Sequence, residues 1–530
     1  MVKRKVVVVG AGPGGLAASM QLAGAGAGVT VLEKLDRVGG RSSAIVADGY
    51  RFDTGPTFFL YPRVLQEIFR SVGRELFDEV PMRRLDPQYR LVFGAGGRLD
   101  CTGNLEQMER QIAEFSPKDV GALSRYMADN RKKLAAFRPI LESPFDSFLD
   151  LMRPSLMAAA PLVRPWRTLG QELARYFRDP RLVLAFSFQS KYLGMSPFNC
   201  PSLFSILSYL EYEYGVYHPL GGCNQVNEAM ARITAELGGE VRLSEPVEAL
   251  EFEGRRVSAV RTRRGRYETD ATVLNADFAH AMQSLVPDRL RRRWSDRKLA
   301  TKKYSCSTFM MYLGVAKQYP ELAHHTIFIA KDYERNLKQI EDLSELPDEP
   351  SIYVHNPSLI DPSLAPPGHS AIYVLVPVPH LSEKTPWTPD IVAAYREQTL
   401  DNLERLGLED IRSQIRYEKI ITPLNWRDDY AVYRGATFNL AHNLAQMLHL
   451  RPHNQFEELR DVYLVGGGTH PGSGLPVIYE STRITCKKLL PKIGLAPPAI
   501  EVPATLASRG SFAAASAAAA DVESSMTPLP

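Results

Sequence analysis

A run of four valines that breaks into glycine, Val6-Val7-Val8-Val9-Gly10-Ala11-Gly12-Pro13-Gly14-Gly15, leaves the chain few ways to begin its fold. An unbroken β-branched run favours a strand buried on both faces of a parallel sheet. Leu16 to Ala23 then reads as a helix that ends near Gly24 or Gly26. In this G-x-G-x-x-G arrangement Gly10 permits the tight turn, Gly12 and Gly14 keep side chains away from a pyrophosphate, and Gly15 lets the helix approach the strand. The amino end of the helix faces the phosphates. Val29 to Leu32 supplies a second strand and Glu33 ends it, at the position about 20 residues on where a carboxylate accepts ribose hydroxyls. The full strand–helix–strand unit argues for a dinucleotide site rather than a bare glycine turn.

With 530 residues the chain has room for two or three domains of roughly 100–200 residues. Its 45% hydrophobic and 23% charged content is that of a folded globular protein, which excludes a largely disordered or collagen-like chain. A net charge of +3 gives no field directed at nucleic acid. The local basic run Arg289 to Arg293, with Arg297, Lys298, Lys302 and Lys303, reads as a solvated face or as a contact for anionic lipid. The five cysteines lack C-x-x-C spacing, so neither a disulfide framework nor a metal site is suggested, and a reducing cytoplasm is expected. The apolar run after Lys3-Arg4-Lys5 stops after four valines, too short for a signal peptide. No stretch approaches the roughly 20 apolar residues of a membrane span, so membrane contact is expected to be peripheral.

The fingerprint alone serves both NAD and FAD. The residues that follow it, Lys34-Leu35-Asp36-Arg37-Val38-Gly39-Gly40-Arg41-Ser42 and Phe52-Asp53-Thr54-Gly55-Pro56-Thr57, resemble the flavin amine oxidase and phytoene desaturase superfamily. The resemblance implies FAD, with Glu33 and Lys34 at the ribose, Gly39, Gly40 and Arg41 along the pyrophosphate, and Gly55, Pro56 and Thr57 approaching the flavin. Two glycines before an arginine let backbone amides and a guanidinium meet the same phosphates. Far along the chain, Val462 to Val465 runs into Gly466-Gly467-Gly468-Thr469-His470-Pro471-Gly472-Ser473-Gly474-Leu475-Pro476, and Val477 to Leu490 then reads as a helix. This segment resembles the closing motif of bacterial-type phytoene desaturases. Gly467, Gly468 and Pro476 are therefore expected at the flavin, Val247 at the adenine, and Asn275 beside the cofactor.

The resemblance reaches to about residue 495 and includes Tyr214 to Gly222, Val273 to Asp277 and Gly435 to Phe438 before Arg451-Pro452. Two departures from the family pattern, Cys223-Asn224 and Val477-Ile478, are expected to reshape a substrate channel. The implied architecture is α/β: a Rossmann-like FAD-binding domain, an inserted mixed β-sheet substrate domain, and a helical lid or membrane-contacting region. The expected division is 1–84, 221–285 and 456–495 for FAD, 85–220 for the helical lid, 286–455 for the substrate domain, and 496–530 as a disordered tail. Strands near 241–252 and 257–262 are expected to return to the sheet. Within the lid, Ser143 to Leu169 mixes large apolar residues with Arg153, Arg164 and Arg167, which suits either a membrane-facing amphipathic helix or a core helix.

The activity implied is desaturation of an isoprenoid hydrocarbon or carotenoid, by hydride transfer to FAD and loss of a neighbouring proton. Oxygen or a membrane quinone is the expected final electron acceptor. No second glycine fingerprint follows a strand, so a separate NAD domain is not expected. Asp150 and Arg153 match an Asp-x-x-Arg spacing proposed in relatives as acid–base machinery, and an i, i+3 ion pair explains the same spacing. His470 is a further catalytic candidate or a scaffold for its glycine loop. Ketolation, terminal oxidation, isomerisation or saturation on the same scaffold are the enzymatic alternatives. A non-catalytic prenyl-binding protein is the remote one.

Overall fold

The computed structural model describes residues 3–498, except 344 and 385. Of the tail expected over 496–530, all beyond residue 498 lies outside the described residues. The valine run forms the strand Lys5–Val9 at the centre of a five-stranded sheet in the order Glu240–Arg242, Gly28–Leu32, Lys5–Val9, Ala271–Leu274, Val462–Leu464. All four pairings are parallel, with Val7 beside Thr30 on one side and Thr272 on the other. Alternate valines serve two cores, as a strand's period of two requires. Val6 and Val8 pack with Leu16, Met20 and Val226 beneath the helices Pro13–Gly24, Asn224–Glu236 and Leu475–Lys492. Val7 and Val9 pack with Leu250, Val257 and Val260 of a small antiparallel sheet on the opposite face. That sheet, Val247–Glu253, Arg256–Thr262 and Arg266–Glu268, is separate, so of the strands expected to return to the main sheet only Glu240–Arg242 does so.

A seven-stranded mixed sheet forms the second body, in the order Ile415–Ile421, Ser307–Val315, Ser370–Val378, Ile352–His355, His325–Ile329, Tyr89–Phe93, Arg98–Cys101. The strand Ser307–Val315, second in that order, is buried along its whole length. Phe309, Met311 and Leu313 face the helix Pro389–Arg405, while Met310 and Tyr312 face the hairpin that carries Ile45, Tyr50 and Phe52. Two strands of this sheet come from the stretch expected to be a helical lid: residues 89–101 pair with His325–Ile329 and with each other.

The remaining lid, from about Leu105 to Tyr214, is helical, and Ser143 to Leu169 departs from both expectations. It breaks into a short turn Phe148–Met152 and a helix Pro154–Val163 with Pro161 inside it. Phe145, Ala159 and Val163 are buried, whereas Leu149 and Trp166 are 74% and 69% exposed. The basic residues do not all snorkel: Arg153 pairs with Asp150 at 2.6 Å, and Arg164 pairs at 2.7 Å with the fully buried Glu172. The basic run near 290 is not a plain solvated face either. Arg291 is 1% exposed and donates to the Val286 and Trp294 carbonyls and to Asp296 at 2.8–2.9 Å. A guanidinium carries five donors, so it can satisfy several carbonyls of a tight turn from the inside.

Candidate active site

The site is built first from backbone. Gly10 has φ +99°, a conformation costly for any residue with a Cβ, and its amide donates to Leu32 O at 2.8 Å. The helix Pro13–Gly24 starts at Gly12 with no side-chain cap and no acid in its first turn, which leaves its first amides open to an anion. A Cβ on Gly15 would sit 2.2 Å from Gly10 O, so Gly15 holds helix and turn together rather than lining the site. A Cβ on Gly14 would crowd Asn275 Oδ1 and Gly466 N at 2.9 and 3.2 Å. Asn275 in turn donates to Gly10 O at 3.1 Å. The opening turn and the closing loop therefore touch through these two residues.

Glu33 is nearly fully buried and accepts from the Ala11 and Leu35 amides at 2.6 and 2.9 Å. Burial pushes its carboxyl up, and those amides oppose the shift. Lys34 reaches Asp429 O at 2.6 Å. Gly39, at φ +107°, donates to Ala11 O at 2.8 Å and begins the turn that presents Gly40 and Arg41. Arg41 donates to Thr437 O at 2.8 Å and lies 3.9 Å from Asp277. With its amide oriented to satisfy both neighbours, Asn439 bridges this pair, its nitrogen 2.6 Å from Asp277 and its oxygen 2.9 Å from Arg41. Asp277 is thus a site residue that the sequence signals only as the end of a longer stretch, and Asn439, directly after Gly435 to Phe438, carries no sequence signal of its own.

Gly55 leaves no room for a side chain, since a Cβ there would lie 2.4 Å from Arg41 O. Tyr373 donates to Gly55 O at 2.9 Å, and the Thr57 hydroxyl sits 2.6 Å from Tyr353 OH. The Asp53 carboxylate accepts from the Cys223 and Asn224 amides at 2.8 and 3.1 Å and anchors the segment that leads to Gly55. Cys223 and Asn224 therefore serve this anchor and are not among the residues lining the cavity, whereas Val477 and Ile478 are.

One cavity of about 1000 Å³ connects these parts. Its wall includes Gly10, Gly12, Gly14, Glu33, Lys34, Gly39, Gly40, Arg41, Gly55, Pro56, Thr57, Val247, Asn275, Gly467, Pro476 and His470. Gly15 and Gly468 stand behind it; a Cβ on Gly468 would lie 2.7 Å from Phe278 Cβ. Beyond the glycine loops the wall becomes apolar, with Phe58, Phe188, Leu207, Met310, Ile327 and Phe438 drawn from widely separated segments. The closing loop is held by Arg451, which is 0% exposed and donates to Gly467 O at 2.7 Å and Thr469 O at 3.1 Å. Burial, with no carboxylate partner among the described residues, pushes this guanidinium down to about 9.

Two histidines on the cavity wall have opposite tautomers. His470 Nε2 lies 3.0 Å from the Ser143 carbonyl, which can only accept, so Nε2 carries the proton and Nδ1 keeps a lone pair. His442 Nε2 accepts from Ser473 N at 2.9 Å, so its proton is on Nδ1. Burial pushes His470 down to about 4, which keeps it neutral near pH 7. Asp150 and Arg153 lie outside this wall. Asp150 accepts from the Asp146 and Ser147 amides at 2.9 and 2.8 Å and caps its own short turn, while Arg153 lies over the Phe145 ring at 4.8 Å.

The glycine cradle, its open helix amino end and the Glu33 carboxylate fit the ADP half of a dinucleotide. The sequence profile described as flavin containing amine oxidoreductase matches residues 13–490. The chain belongs to the flavin-containing amine oxidoreductase family. A flavin joined to an ADP half is FAD, and FAD is the cofactor of this site. Within the family the chain is 44% identical to a 4,4'-diapophytoene desaturase (4,4'-diapolycopene-forming) of Methylomonas sp, over 92% of this chain and 96% of that one. It is 40% identical to an all-trans-zeta-carotene desaturase of Myxococcus xanthus, over 93% and 94% of the two chains. An oxidoreductase structure from Methanosarcina mazei matches with a TM-score of 0.58 at 17% identity, covering 90% of this chain and 98% of that one, which shows the shared fold.

Proposed function

We propose that this flavoprotein desaturates an acyclic carotenoid precursor of the phytoene or 4,4'-diapophytoene kind. The observation that carries the reading is the large cavity, which runs from the dinucleotide cradle into an apolar wall suited to a long hydrocarbon. The desaturase relatives, similar over nearly their whole length, support the same substrate class. The prenyl-binding alternative expects a degenerate cradle, and here Gly10, Gly12, Gly15, Glu33 and Arg41 all hold their places.

Desaturation removes a hydride from one carbon and a proton from its neighbour, and the electron pair of the second C–H bond becomes the new double bond. Bound FAD supplies the hydride acceptor. Gly55, Pro56 and Thr57, held in the cavity wall by Tyr373 and Tyr353, would form part of the surface that orients it. We assign the proton to His470 Nδ1, whose lone pair is left free by the bond from Nε2 to Ser143. An imidazole held at about 4 is a weak base. It suffices for a proton made acidic by positive charge developing on the adjacent carbon, and it does not suffice for an unactivated hydrocarbon, so hydride loss must run with or ahead of proton loss. Asp150 and Arg153 act, in this reading, as the ion pair that shapes the Phe148–Met152 turn.

That turn, the helix after it and the loop that carries Trp166 form an apolar apron. Phe148, Leu149, Met152, Met157 and Trp166 are each more than 60% exposed, and the turn packs against Leu448–Leu450, whose first residue lines the cavity. No described helix is long and apolar enough to cross a membrane. We propose that the apron rests on the bilayer in which the substrate dissolves, with oxygen or a membrane quinone reoxidising the flavin. Anaerobic mixing of the flavoprotein with liposomes carrying 4,4'-diapophytoene or phytoene tests the reading. Bleaching of the oxidised flavin band by one of them is expected, and an unchanged band with both overturns it.

A further inference from the structure

Away from the flavin cradle, imidazoles gather where a three-stranded sheet meets the seven-stranded one. His218 lies in the strand Val216–Pro219, His324 precedes His325–Ile329, and His355 ends Ile352–His355. All three are buried, and one ring nitrogen from each lies within 4.8 Å of the others. Spaced more than thirty residues apart in sequence, they form no motif.

Proton accounting shows what the cluster lacks. Asp361 Oδ2 lies 3.0 Å from His218 Nε2 and accepts from Gly221 N at 2.6 Å; its other oxygen accepts from Ser363 at 2.5 Å. Both Asp361 oxygens therefore act as acceptors, Oδ2 from the Gly221 amide and Oδ1 from the Ser363 hydroxyl, as a carboxylate does. An ionised carboxylate only accepts, so the proton is on His218 Nε2, and Nδ1 keeps a bare lone pair. That nitrogen is buried with no hydrogen-bond partner among the described residues. His324 Nε2 and His355 Nε2 are 3.1 Å apart, with room for one proton between them, and His324 Nδ1 is also buried without a partner among the described residues. Either tautomer of His324 leaves a buried ring nitrogen unsatisfied. The neighbouring His325 is engaged elsewhere, bonded to Tyr353 OH at 2.8 Å and stacked on Phe58 at 4.0 Å.

A cation would take up the bare His218 Nδ1 lone pair and replace the shared proton between the His324 and His355 Nε2 atoms, and we propose that His218, His324 and His355 hold a structural zinc(II) ion, with Asp361 orienting the His218 ring from outside. Imidazole nitrogens bound at about 2.0–2.1 Å around a tetrahedral ion stand roughly 3.3 Å apart, close to the 3.1 Å of the His324–His355 pair. A carboxylate bonded to the far nitrogen of a ligating imidazole is the usual way such a ring is fixed. Neutral imidazoles favour zinc and its transition-metal neighbours over magnesium or calcium. A cavity of about 10 Å³, at the lower limit of space for one water, borders His355, Asp53, Gly221 and Gly222, and in this proposal a water completes the coordination. The ion would tie the 218–222 segment to the substrate sheet. Cys223 and Asn224, directly after that segment, hold Asp53. Its role is therefore to brace the cradle rather than to take part in the redox step.

The test uses the full-length flavoprotein purified without a polyhistidine tag, analysed for metal and flavin per chain, then dialysed against chelator and titrated with zinc chloride. One zinc ion per chain is expected, either retained on purification or bound on titration, with a higher thermal unfolding midpoint when it is present. His355→Ala should lose the ion. Asp361→Asn keeps all three imidazoles, and should weaken zinc affinity about 10- to 100-fold while its flavin content reports that it has folded. A wild-type protein that neither carries nor binds stoichiometric zinc overturns the proposal. So does zinc affinity that is unchanged in both variants.

Discussion

The two ends of the cavity are made in different ways. The nucleotide end is mostly backbone: a turn at Gly10, an uncapped helix start at Gly12, and a loop at Gly39 and Gly40 that bonds back to Ala11. Its first contacts fall within the opening 41 residues, Gly10 with Leu32 and Ala11 with Glu33 and Gly39. The apolar end is side chains alone, with Phe58, Phe188, Met310 and Phe438 brought together by strands and helices from four separate stretches. Each of these, taken singly, is an ordinary core residue. A site is legible in sequence when its spacing along the chain equals its spacing in space, and the first end meets that condition while the second does not.

Substitutions at the two ends should separate accordingly. The largest effect belongs to the backbone end. Gly15→Val drives a side chain into Gly10 O, only 2.2 Å from where its Cβ must lie, and should abolish flavin binding. The absorbance ratio of flavin to protein measures this, and a wild-type ratio would break the contrast drawn above. Next comes His470→Gln, expected to lower turnover about 100-fold or more while flavin content stays normal. Loss of flavin together with activity would move His470 to the scaffold of its loop.

The same histidine gives a pH signature. Its folded value, about 4, lies below the ordinary 6.5, so the unfolded chain binds the proton more readily and stability rises with pH between these values. On acidification through that window the wild type should lose about 3 kcal/mol that His470→Gln does not lose, as measured by denaturant unfolding at pH 7 and pH 4. Equal losses in both proteins would contradict a buried neutral imidazole. A smaller effect is expected at the apron, where replacing Phe148, Leu149 and Trp166 together by serine should weaken liposome flotation at least about tenfold and leave flavin binding unchanged. Smallest is Asp150→Asn. It should retain turnover within about twofold and cost about 1 kcal/mol of stability through the weakened cap. A large loss of turnover with flavin intact would restore Asp150 to the chemistry.

The same physical division explains which parts of the fold were readable. The valine run, Glu33 and the Gly466 to Pro476 loop announced themselves because strand, turn and helix signals are local. Tyr89–Cys101 was not placed, since pairing with His325–Ile329 depends on a strand more than two hundred residues away. The stretch 143–169 has the composition of a helix, and its breaks at Arg153 and Arg164 come from cap geometry and from the pull of Glu172 on Arg164. Arg291 reads as surface charge in sequence and Arg451 only as part of a family-like stretch, yet each is buried because carbonyl oxygens of a turn or loop surround it. Asp53, noticed as part of a flavin-facing motif, proved to bind two amides of the helix start at 223–224.

The most direct test joins the two ends in one reaction. Purified flavoprotein is incubated in air with FAD and liposomes carrying either phytoene or 4,4'-diapophytoene, and the visible spectrum is followed. New structured polyene bands that move to longer wavelength as conjugation grows, with at least one of the two substrates, are the expected result. A spectrum that shows only bound flavin with both substrates would contradict it.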